Sequence, residues 1–273
     1  MGRLTDRRRI VRIRPDGTSA PREDTLIVEE PLELRVGGEV LTVTMRTPGH
    51  DVELAHGLLL SEGLIGGRDD VAGARFCSDD PVNLYNTLDV TLRNVLARPA
   101  IALRRNLAAS SSCGLCGKES ADAVRTSTRF PLDPGDGVRA PAALVAGLPD
   151  ELRRRQRLFD RTGGVHAAGL FDTDGTFRVA MEDIGRHNAV DKVLGWALMN
   201  DSVPLRESVL VLSGRVSFEL AQKAVMAGVP MIAAVSAPSA LAVTLADDAG
   251  LTVAGFVRGG GMNVYTHPQR ITL

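Results

Sequence analysis

The 273-residue sequence has few cysteines, no excess charge of either sign and no long apolar run. Its three cysteines, an odd number, do not form the disulfide framework that is typical of small secreted domains. Lysine plus arginine number 32 against 33 for aspartate plus glutamate, so the overall charge gives no reason to expect nucleic acid or an acidic membrane as a partner. Because no apolar run reaches the about 18 residues that a membrane helix needs, the sequence predicts a cytoplasmic protein without a membrane partner.

The amino terminus is strongly basic. Residues 1–14 contain six arginines and no apolar segment follows them, so a secretory signal is not expected. The pattern predicts a disordered basic arm over residues 1–25. After it, alternating apolar residues on both sides of Gly37-Gly38 predict a β-hairpin, and further apolar positions predict a helix and one more strand. We therefore expect a small α+β domain over residues 26–105.

The second half of the chain has a different pattern. Short apolar runs without alternation occur at residues 208–212, 231–235 and 251–256, and helical patterns of about three turns separate them. Strands of this kind are typical of a mostly parallel sheet with helices on both faces. For residues 121–273 the sequence therefore predicts a three-layer α/β domain.

The loops after these predicted strands contain groups suited to an anionic ligand, although ordinary β-to-α turns also favour serine and glycine. In such sheets ligands bind beyond the carboxyl ends of the strands, where hydroxyl, guanidinium and backbone N–H groups can hold phosphate oxygens. The candidate ligand-binding residues are Ser213, Arg215, Ser236, Phe256, Val257, Arg258, Gly259, Gly260 and Gly261. The sequence contains neither a P-loop motif nor GxGxxG, so neither a P-loop ATPase nor a standard dinucleotide fold is supported.

Reactive chemistry is concentrated at Cys113 and Cys116, which are separated by two residues and follow a serine-rich stretch. Serine and glycine resist regular structure, so residues 106–120 are predicted to form a mobile loop that carries both thiols. Such a pair can ligate a metal, cycle between dithiol and disulfide, or carry a transferable sulfur, and the spacing alone leaves all three open. Lys118 and nearby backbone N–H groups favour the thiolate form.

An arginine-rich run and two histidines have two interpretations each. Residues 153–157 form either a solvated helix face or a surface for phosphate or a partner. His166 and His187 stand among glycines and charged residues, and both are interpreted as preceding helical stretches. Each histidine is either a structural, hydrogen-bonded residue or a group that contacts phosphate or a thiolate. On the second interpretation His187 joins the candidate ligand-binding residues.

Four segments occur in order along the chain. They are CGLCGK at residues 113–118, TGGVHAA at 162–168, EDIGRHNAVDK at 182–192 and YTHP at 265–268. With these segments the chain closely resembles the FdhD family, the sulfurtransferases that act as accessory proteins of formate dehydrogenase. The resemblance extends from about Asp24 to the carboxyl terminus.

The resemblance implies a cytoplasmic, homodimeric sulfur carrier. A cysteine desulfurase is expected to load sulfane sulfur onto a CxxC cysteine, Cys113 on the family pattern. The sulfur then passes to the molybdenum or tungsten bis(pterin guanine dinucleotide) cofactor that formate dehydrogenase receives, and guanosine diphosphate is the expected surrogate ligand.

The resemblance also implies a cytidine-deaminase-like α/β domain beside the smaller amino-terminal domain. The zinc motif of the deaminases is absent because two alanines follow His166, so deamination is disfavoured. A zinc-binding structural module that adds His166 or His187 to the cysteines remains a rival interpretation, and so does a dithiol oxidoreductase.

Overall fold

The computed structural model describes residues 4–77, 85–93 and 128–273, and within them the chain forms fourteen strands and six α-helices. The helices are α1 (Asp51–Ser61), α2 (Ala142–Arg153), α3 (Arg157–Thr162), α4 (Arg186–Met199), α5 (Phe218–Met226) and α6 (Ala240–Ala249). Cys113, Cys116 and the predicted domain boundary between residues 105 and 121 lie outside the described residues. Within the described ranges, no helix is long and apolar enough to cross a lipid bilayer.

The amino-terminal residues form a β-hairpin rather than the predicted disordered arm. β1 (Thr5–Ile13) pairs antiparallel with β2 (Ser19–Ile27) along the full length of both strands. In the turn, Gly17 adopts a φ of 80° and the N–H of Thr18 donates to Asp16 Oδ1 at 2.9 Å. A Pro-Asp-Gly turn between two segments with β-branched residues favours a hairpin, and arginine side chains extend into solvent from either face of it. The prediction of disorder over residues 1–25 is therefore wrong for residues 4–25.

A second sheet and helix α1 complete the amino-terminal half. The strands of this sheet are β3 (Glu30–Val36), β4 (Glu39–Arg46), β5 (Val71–Phe76) and β6 (Thr87–Leu92), in the order β4-β3-β6-β5. The hairpin predicted around Gly37-Gly38 is present, and both glycines adopt the positive φ that its turn requires. Leu32 and Leu88 of the sheet are buried in the same apolar cluster as Leu59 of α1.

The centre of the molecule is a six-stranded mixed sheet. Its strands are β8 (His166–Asp172), β9 (Phe177–Asp183), β10 (Ser208–Leu212), β11 (Met231–Ala234), β12 (Thr252–Arg258) and β13 (Gly261–Thr266), in the order β13-β12-β11-β10-β8-β9. β10, β11 and β12 are parallel, whereas the pairs β8–β9, β8–β10 and β12–β13 are antiparallel. The prediction of a mostly parallel sheet is therefore wrong, because short turns after β8 and β12 connect antiparallel strands.

Helices cover both faces of this sheet. α4, α5 and α6 lie on one face together with α1, and α2 lies on the other face. Alternate residues of β10 point to the two sides, with Leu210 in the first apolar cluster and Val211 in the second. The short strands β7 (Ala140–Pro141) and β14 (Ile271–Thr272) pair beside α2. The α/β class is confirmed, and the likeness to cytidine deaminases stays a prediction.

Helices α1 and α4 approach so closely that each presents a glycine to the backbone of the other. A Cβ on Gly57 would lie 1.8 Å from the carbonyl oxygen of Asp191, and a Cβ on Gly195 would lie 1.8 Å from that of Glu53. Any residue with a side chain would force the two helices apart, so only glycine fits at these positions. Through this contact the amino-terminal half shares one apolar core with the central sheet.

Candidate functional site

Strand direction brings five segments to one edge of the central sheet. The parallel strands β10, β11 and β12 end at this edge, β9 ends there too, and the antiparallel strand β8 begins there. The loops are joined through their backbones, since Val216 N–H donates to Ala237 O at 3.2 Å and Phe256 N–H donates to Ser236 O at 3.2 Å. The two predicted loops after β10 and β11 therefore lie together, as expected from parallel strands.

A cavity of about 560 Å³ opens at this edge, on the side of the sheet covered by α2. The residues that line it and that bear on binding are Arg153, Gln156, Phe159, Gly163, Gly164, His166, Ile184, Ser213, Val235, Val257 and Arg258. Its volume is within the range of small-molecule sites, and its wall combines apolar side chains with a few polar ones. The cavity can hold a ligand with both an apolar or aromatic part and an anionic part.

The structure places the sequence-predicted residues in three groups. Ser213, Val257 and Arg258 line the cavity. Arg215, Ser236, Phe256, Gly259, Gly260, Gly261 and His187 lie at the same sheet edge but outside the cavity lining. Cys113 and Cys116 lie outside the described residues, so their position relative to the cavity stays a prediction.

The segment around Arg258 differs from the β-to-α loop that the sequence indicated. Phe256, Val257 and Arg258 end β12, and Gly259-Gly260 form a tight turn directly into β13. Both glycines adopt a positive φ, 59° and 78°, which a hairpin turn of this kind requires. Arg258 is exposed and lies over the ring of Phe256 at 5.7 Å, so the turn presents a guanidinium at the mouth of the cavity.

Ser213 has a structural role that its loop position did not suggest. Its hydroxyl accepts a hydrogen bond from Ala167 N–H at 2.8 Å, and its own N–H donates to Ala167 O at 3.0 Å. These bonds fix the end of β10 to the start of β8. They hold His166 at the cavity wall, with its Nδ1 3.5 Å from where a Cβ on Gly214 would lie. His166 therefore opens a strand, and the interpretation that it precedes a helix is wrong.

The arginine-rich run divides into a cavity wall and a solvated face. Arg153 lines the cavity, pairs with Asp160 at 2.6 Å and lies over the ring of Phe159 at 4.7 Å. Arg154 and Arg155, which directly follow α2, instead form ion pairs with Glu151 in its last turn. Arg154 and Arg155 therefore fit the interpretation of a solvated face, whereas binding of phosphate or a partner by Arg153 stays a prediction.

On the other side of the same edge, the amino termini of α4 and α5 lie next to each other. His187 in the first turn of α4 has its Nε2 3.2 Å from Ser217 Oγ at the start of α5. Within the described chain no side chain caps the first turn of α4, so backbone N–H groups there remain for an acceptor, whereas the first turn of α5 already carries the Glu219 carboxylate, 3.8 Å from His187 Nε2. Arg186 Nε is buried and has no partner among residues 4–77, 85–93 and 128–273. Such a combination favours an anion.

Burial and positive charge keep both histidines neutral near neutral pH. Burial, together with the nearby charges of Lys223 and Arg186, lowers the pKa of His187 to about 4. Burial and Arg186 also lower the pKa of His166. The two imidazoles therefore act as hydrogen-bonding groups at this edge. Its positive charge comes from guanidinium groups, and Arg186 and Arg258 form no ion pair within the part of the chain that the structure describes.

A buried network beneath the edge fixes the start of α4. Asp183 is fully buried, and it accepts hydrogen bonds from Thr47 N–H at 3.1 Å, Gly185 N–H at 2.8 Å, Asn188 Nδ2 at 3.1 Å and Lys192 Nζ at 2.7 Å. Lys192 also donates to Thr47 O at 2.9 Å. The sequence interpretation did not assign Asp183, Asn188 or Lys192 to the site. A signal was available, because Asn188 and Lys192 are polar residues four positions apart on an otherwise apolar helix face.

Comparisons with known proteins agree with this architecture. A family model described as the FdhD/NarQ family matches residues 27–272. The sulfur carrier protein FdhD of Nocardia farcinica is 57% identical over 273 residues, which cover 99% of this chain and 96% of that protein. The sulfur carrier protein FdhD of Streptomyces avermitilis is 54% identical over 276 residues, covering 100% of this chain and 98% of that protein.

A solved structure has the same fold. A crystal structure assigned as a formate dehydrogenase accessory protein from Desulfotalea psychrophila superposes with a TM-score of 0.77 at 25% sequence identity, and the match covers 99% of this chain and 100% of that one. The family model matches nearly the whole chain, and the relatives match it end to end. The chain belongs to the FdhD/NarQ family.

Proposed function

We propose that this protein is a sulfur carrier that works in the maturation of formate dehydrogenase in the cytoplasm. Its thiol segment accepts sulfane sulfur from a cysteine desulfurase and delivers it to the molybdenum or tungsten bis(pterin guanine dinucleotide) cofactor, the substrate of the transfer. The observation that carries the proposal is the sheet edge itself. In a chain whose relatives are named sulfur carriers, this edge combines a cavity with guanidinium groups and an uncapped helix amino terminus.

In this proposal the cavity holds a guanine nucleotide arm of the cofactor. Arg258 at the mouth forms charge-assisted hydrogen bonds to phosphate oxygens, and the side chains around Phe159 and Val257 provide apolar contact. A cavity of about 560 Å³ has room for one nucleotide arm, whereas the cofactor carries two. Two copies of the chain in a homodimer would hold both arms, which is why we retain the homodimer as part of the proposal.

The cysteines supply the sulfur chemistry. The Cys113 thiolate attacks the terminal sulfur of the desulfurase persulfide, a new S–S bond forms as the donor's S–S bond breaks, and the donor cysteine leaves as a thiolate. No net oxidation or reduction takes place in this step. Cys116 assists later release of the sulfur, since its thiolate can attack the inner sulfur of the Cys113 persulfide: a Cys113–Cys116 disulfide forms, the bond to the outer sulfur breaks and that sulfur leaves as hydrosulfide, so the two cysteines are oxidised as the sulfur is reduced.

Sulfur loading tests the first half of the proposal. The protein is incubated with cysteine and a desulfurase, and intact-mass spectrometry looks for a reducible adduct of one sulfur atom. We expect no adduct on Cys113→Ala, an adduct with weaker dehydrogenase activation on Cys116→Ala, and wild-type behaviour of Cys77→Ala as the control. Loading of Cys113→Ala but not Cys116→Ala would exchange their roles. Normal dehydrogenase activation by the double variant Cys113→Ala/Cys116→Ala would refute the sulfur-carrier function.

Nucleotide binding tests the second half. Guanosine diphosphate at about 100 times its Kd adds about 2.7 kcal/mol to the stability of the protein, which corresponds to a Tm increase of roughly 5–10 °C for a chain of this size. Arg258→Gln should need about tenfold more nucleotide for the same increase, because it loses a charge-assisted contact. Arg139→Gln removes an exposed arginine outside the cavity lining and serves as the control. An unchanged Tm of the wild type at saturating nucleotide would contradict the proposed pocket.

A further inference from the structure

Gln156 lies between α2 and α3, and its side chain is buried without a hydrogen-bond partner. It lines the cavity and is only 4% exposed. Its backbone is held in place, since its N–H donates to Arg153 O at 3.2 Å and its carbonyl oxygen accepts from Asp160 N–H at 3.0 Å. The carboxamide itself forms no hydrogen bond with any residue that the structure describes. Because a buried carboxamide without a partner is costly, this points to a ligand in the cavity as its partner.

Glu182 of β9 explains why the Gln156 side chain remains free. Gln156 directly precedes α3, at the position from which a side chain ordinarily caps the first N–H groups of a helix. The two oxygens of the Glu182 carboxylate already accept from Leu158 N–H and Phe159 N–H, each at 2.8 Å. Since these donors are occupied, the Gln156 carboxamide has no role at the helix end and remains available to a ligand.

Asp150 of α2 is the one acidic residue among the described residues that line the cavity. It is exposed, and its carboxylate forms neither an ion pair nor a hydrogen bond within the three described ranges of the chain. The other charged groups of the wall are the guanidinium groups of Arg153 and Arg258. A carboxylate repels phosphate oxygens, so in a cavity that holds a nucleotide Asp150 belongs beside the uncharged base.

Guanine has the hydrogen-bonding edge that these two side chains match. A carboxylate only accepts hydrogen bonds, whereas a carboxamide both donates and accepts. Guanine presents two neighbouring donors, N1–H and the 2-amino group, and beside them the acceptor O6. Adenine has an acceptor at N1, which would bring a lone pair against the carboxylate of Asp150. The ring of Phe159, one turn after Gln156, adds an apolar surface for the base.

We propose that Asp150 and Gln156 determine the specificity of the cavity for guanine. The Asp150 carboxylate accepts from N1–H and the 2-amino group, and the Gln156 carboxamide donates to O6. The inference rests on the proposed function, because it takes the cavity to hold a guanine nucleotide arm of the cofactor. It assigns the base to the wall formed by α2 and α3, while Arg258 of β12 holds the phosphates.

Isothermal titration calorimetry of the full chain measures its affinities for guanosine, inosine, adenosine and xanthosine diphosphate. Relative to guanosine diphosphate, the wild type should bind inosine diphosphate, which lacks the 2-amino group, about tenfold more weakly and adenosine diphosphate about a hundredfold more weakly. Asp150→Asn should weaken guanosine diphosphate about tenfold and strengthen xanthosine diphosphate, whose 2-oxo group accepts from the new amide. Asp248→Asn, at an exposed carboxylate of α6 outside the cavity lining, is the matched control and should leave every affinity within about twofold.

Gln156→Met separates a ligand contact from a structural role. It should weaken guanosine diphosphate about fivefold, yet it should not lower the Tm of the nucleotide-free protein, because the carboxamide has no partner to lose. Gln222→Met, at a half-buried glutamine of α5 outside the cavity lining, is its control and should leave the nucleotide affinities unchanged. A Tm decrease of about 3 °C or more in Gln156→Met would overturn the inference in favour of a structural hydrogen bond.

The remaining outcomes distinguish this inference from the function on which it rests. Equal affinity of the wild type for guanosine and adenosine diphosphate would overturn the guanine specificity and leave sulfur carriage intact. The wild-type preference for guanine in both Asp150→Asn and Gln156→Met would overturn the assignment of these residues in the same way. A wild type that binds none of the four nucleotides would refute the nucleotide pocket of the proposed function, and this assignment with it. A wild type that takes up no sulfur but prefers guanine would refute sulfur carriage and support the assignment.

Discussion

Replacement of Asp183 by asparagine should destabilise the protein strongly, because no orientation of the amide satisfies the four donors around it. Asp183 Oδ1 accepts from Gly185 and Asn188, and Asp183 Oδ2 accepts from Thr47 and Lys192. Whichever position the new NH₂ group takes, it faces two donors and leaves them without an acceptor. It also leaves Lys192, which is 1% exposed, without its counter-charge.

Breaking a buried ion pair by removing one partner costs about 3–5 kcal/mol, and the four-donor arrangement places Asp183→Asn in the upper part of that range. For a chain of this size the loss corresponds to a Tm decrease of roughly 10–15 °C. Urea unfolding followed by circular dichroism gives the free energy of unfolding for Asp183→Asn, Lys192→Met and the double variant. We expect a coupling free energy of at least about 2 kcal/mol, since the double variant no longer buries an unpaired charge.

The same substitution at a surface carboxylate provides the control. Asp201 pairs with Arg68 at 2.7 Å, but the two side chains are 64% and 54% exposed, so Asp201→Asn should change stability by less than about 1 kcal/mol. A loss below about 1.5 kcal/mol for Asp183→Asn, or a coupling near zero, would refute the reasoning. In that case the network beneath α4 would be held by its backbone donors alone.

Two further predictions concern helix packing and pH. Gly195→Ala should lower the free energy of unfolding by about 3 kcal/mol or more, because its Cβ would lie 1.8 Å from Glu53 O. Gly147→Ala in α2 is the control, and it should raise the free energy of unfolding by about 0.5–1 kcal/mol because its Cβ meets no atom within 4 Å. Equal Tm values for the two variants would contradict this reasoning. The pKa of His187 falls from 6.5 to about 4 on folding, so the unfolded chain binds more protons between these values and stability falls as the pH decreases from about 6.5 to about 4. His187→Gln should lose less Tm over this interval, and parallel Tm curves for the two proteins would contradict the assignment.

The elements of the central sheet could be predicted where the apolar pattern alone determines them. Runs of apolar residues predict the parallel strands that begin at Ser208 and Met231, and the helical pattern between residues 235 and 251 predicts the helix that follows Ser239, whose hydroxyl accepts from Ala242 N–H at 3.2 Å. β8 was missed because its alanines and glycine fit a helix as well as a strand. The Asp-Gly pair at Asp174-Gly175 between two apolar segments was the signal for an antiparallel hairpin.

The candidate site could be predicted only in part, for a related reason. Arg258 and Ser213 follow predicted strands, and ligands of such sheets bind beyond the carboxyl ends of the strands. Both residues were therefore expected at this edge, and both line the cavity there. His166 reaches the same edge only because β8 runs antiparallel to β10, and pairing direction between distant segments is a tertiary property. The network around Asp183 needs Thr47 from the other half of the chain, and the sequence pattern does not show which distant residues meet.

The close approach of α1 to α4 has a consequence for synthesis of the chain. The side of α1 that faces α4 is covered only when Gly195 and its neighbours have left the ribosome, roughly 140 residues after Gly57, which takes on the order of 10 s at bacterial elongation rates. Throughout this interval Leu54 and Leu59 have no native partner from α4, so apolar side chains of α1 are exposed to solvent in the nascent amino-terminal half. We therefore expect α1 to complete its native packing only after residue 195 has been translated.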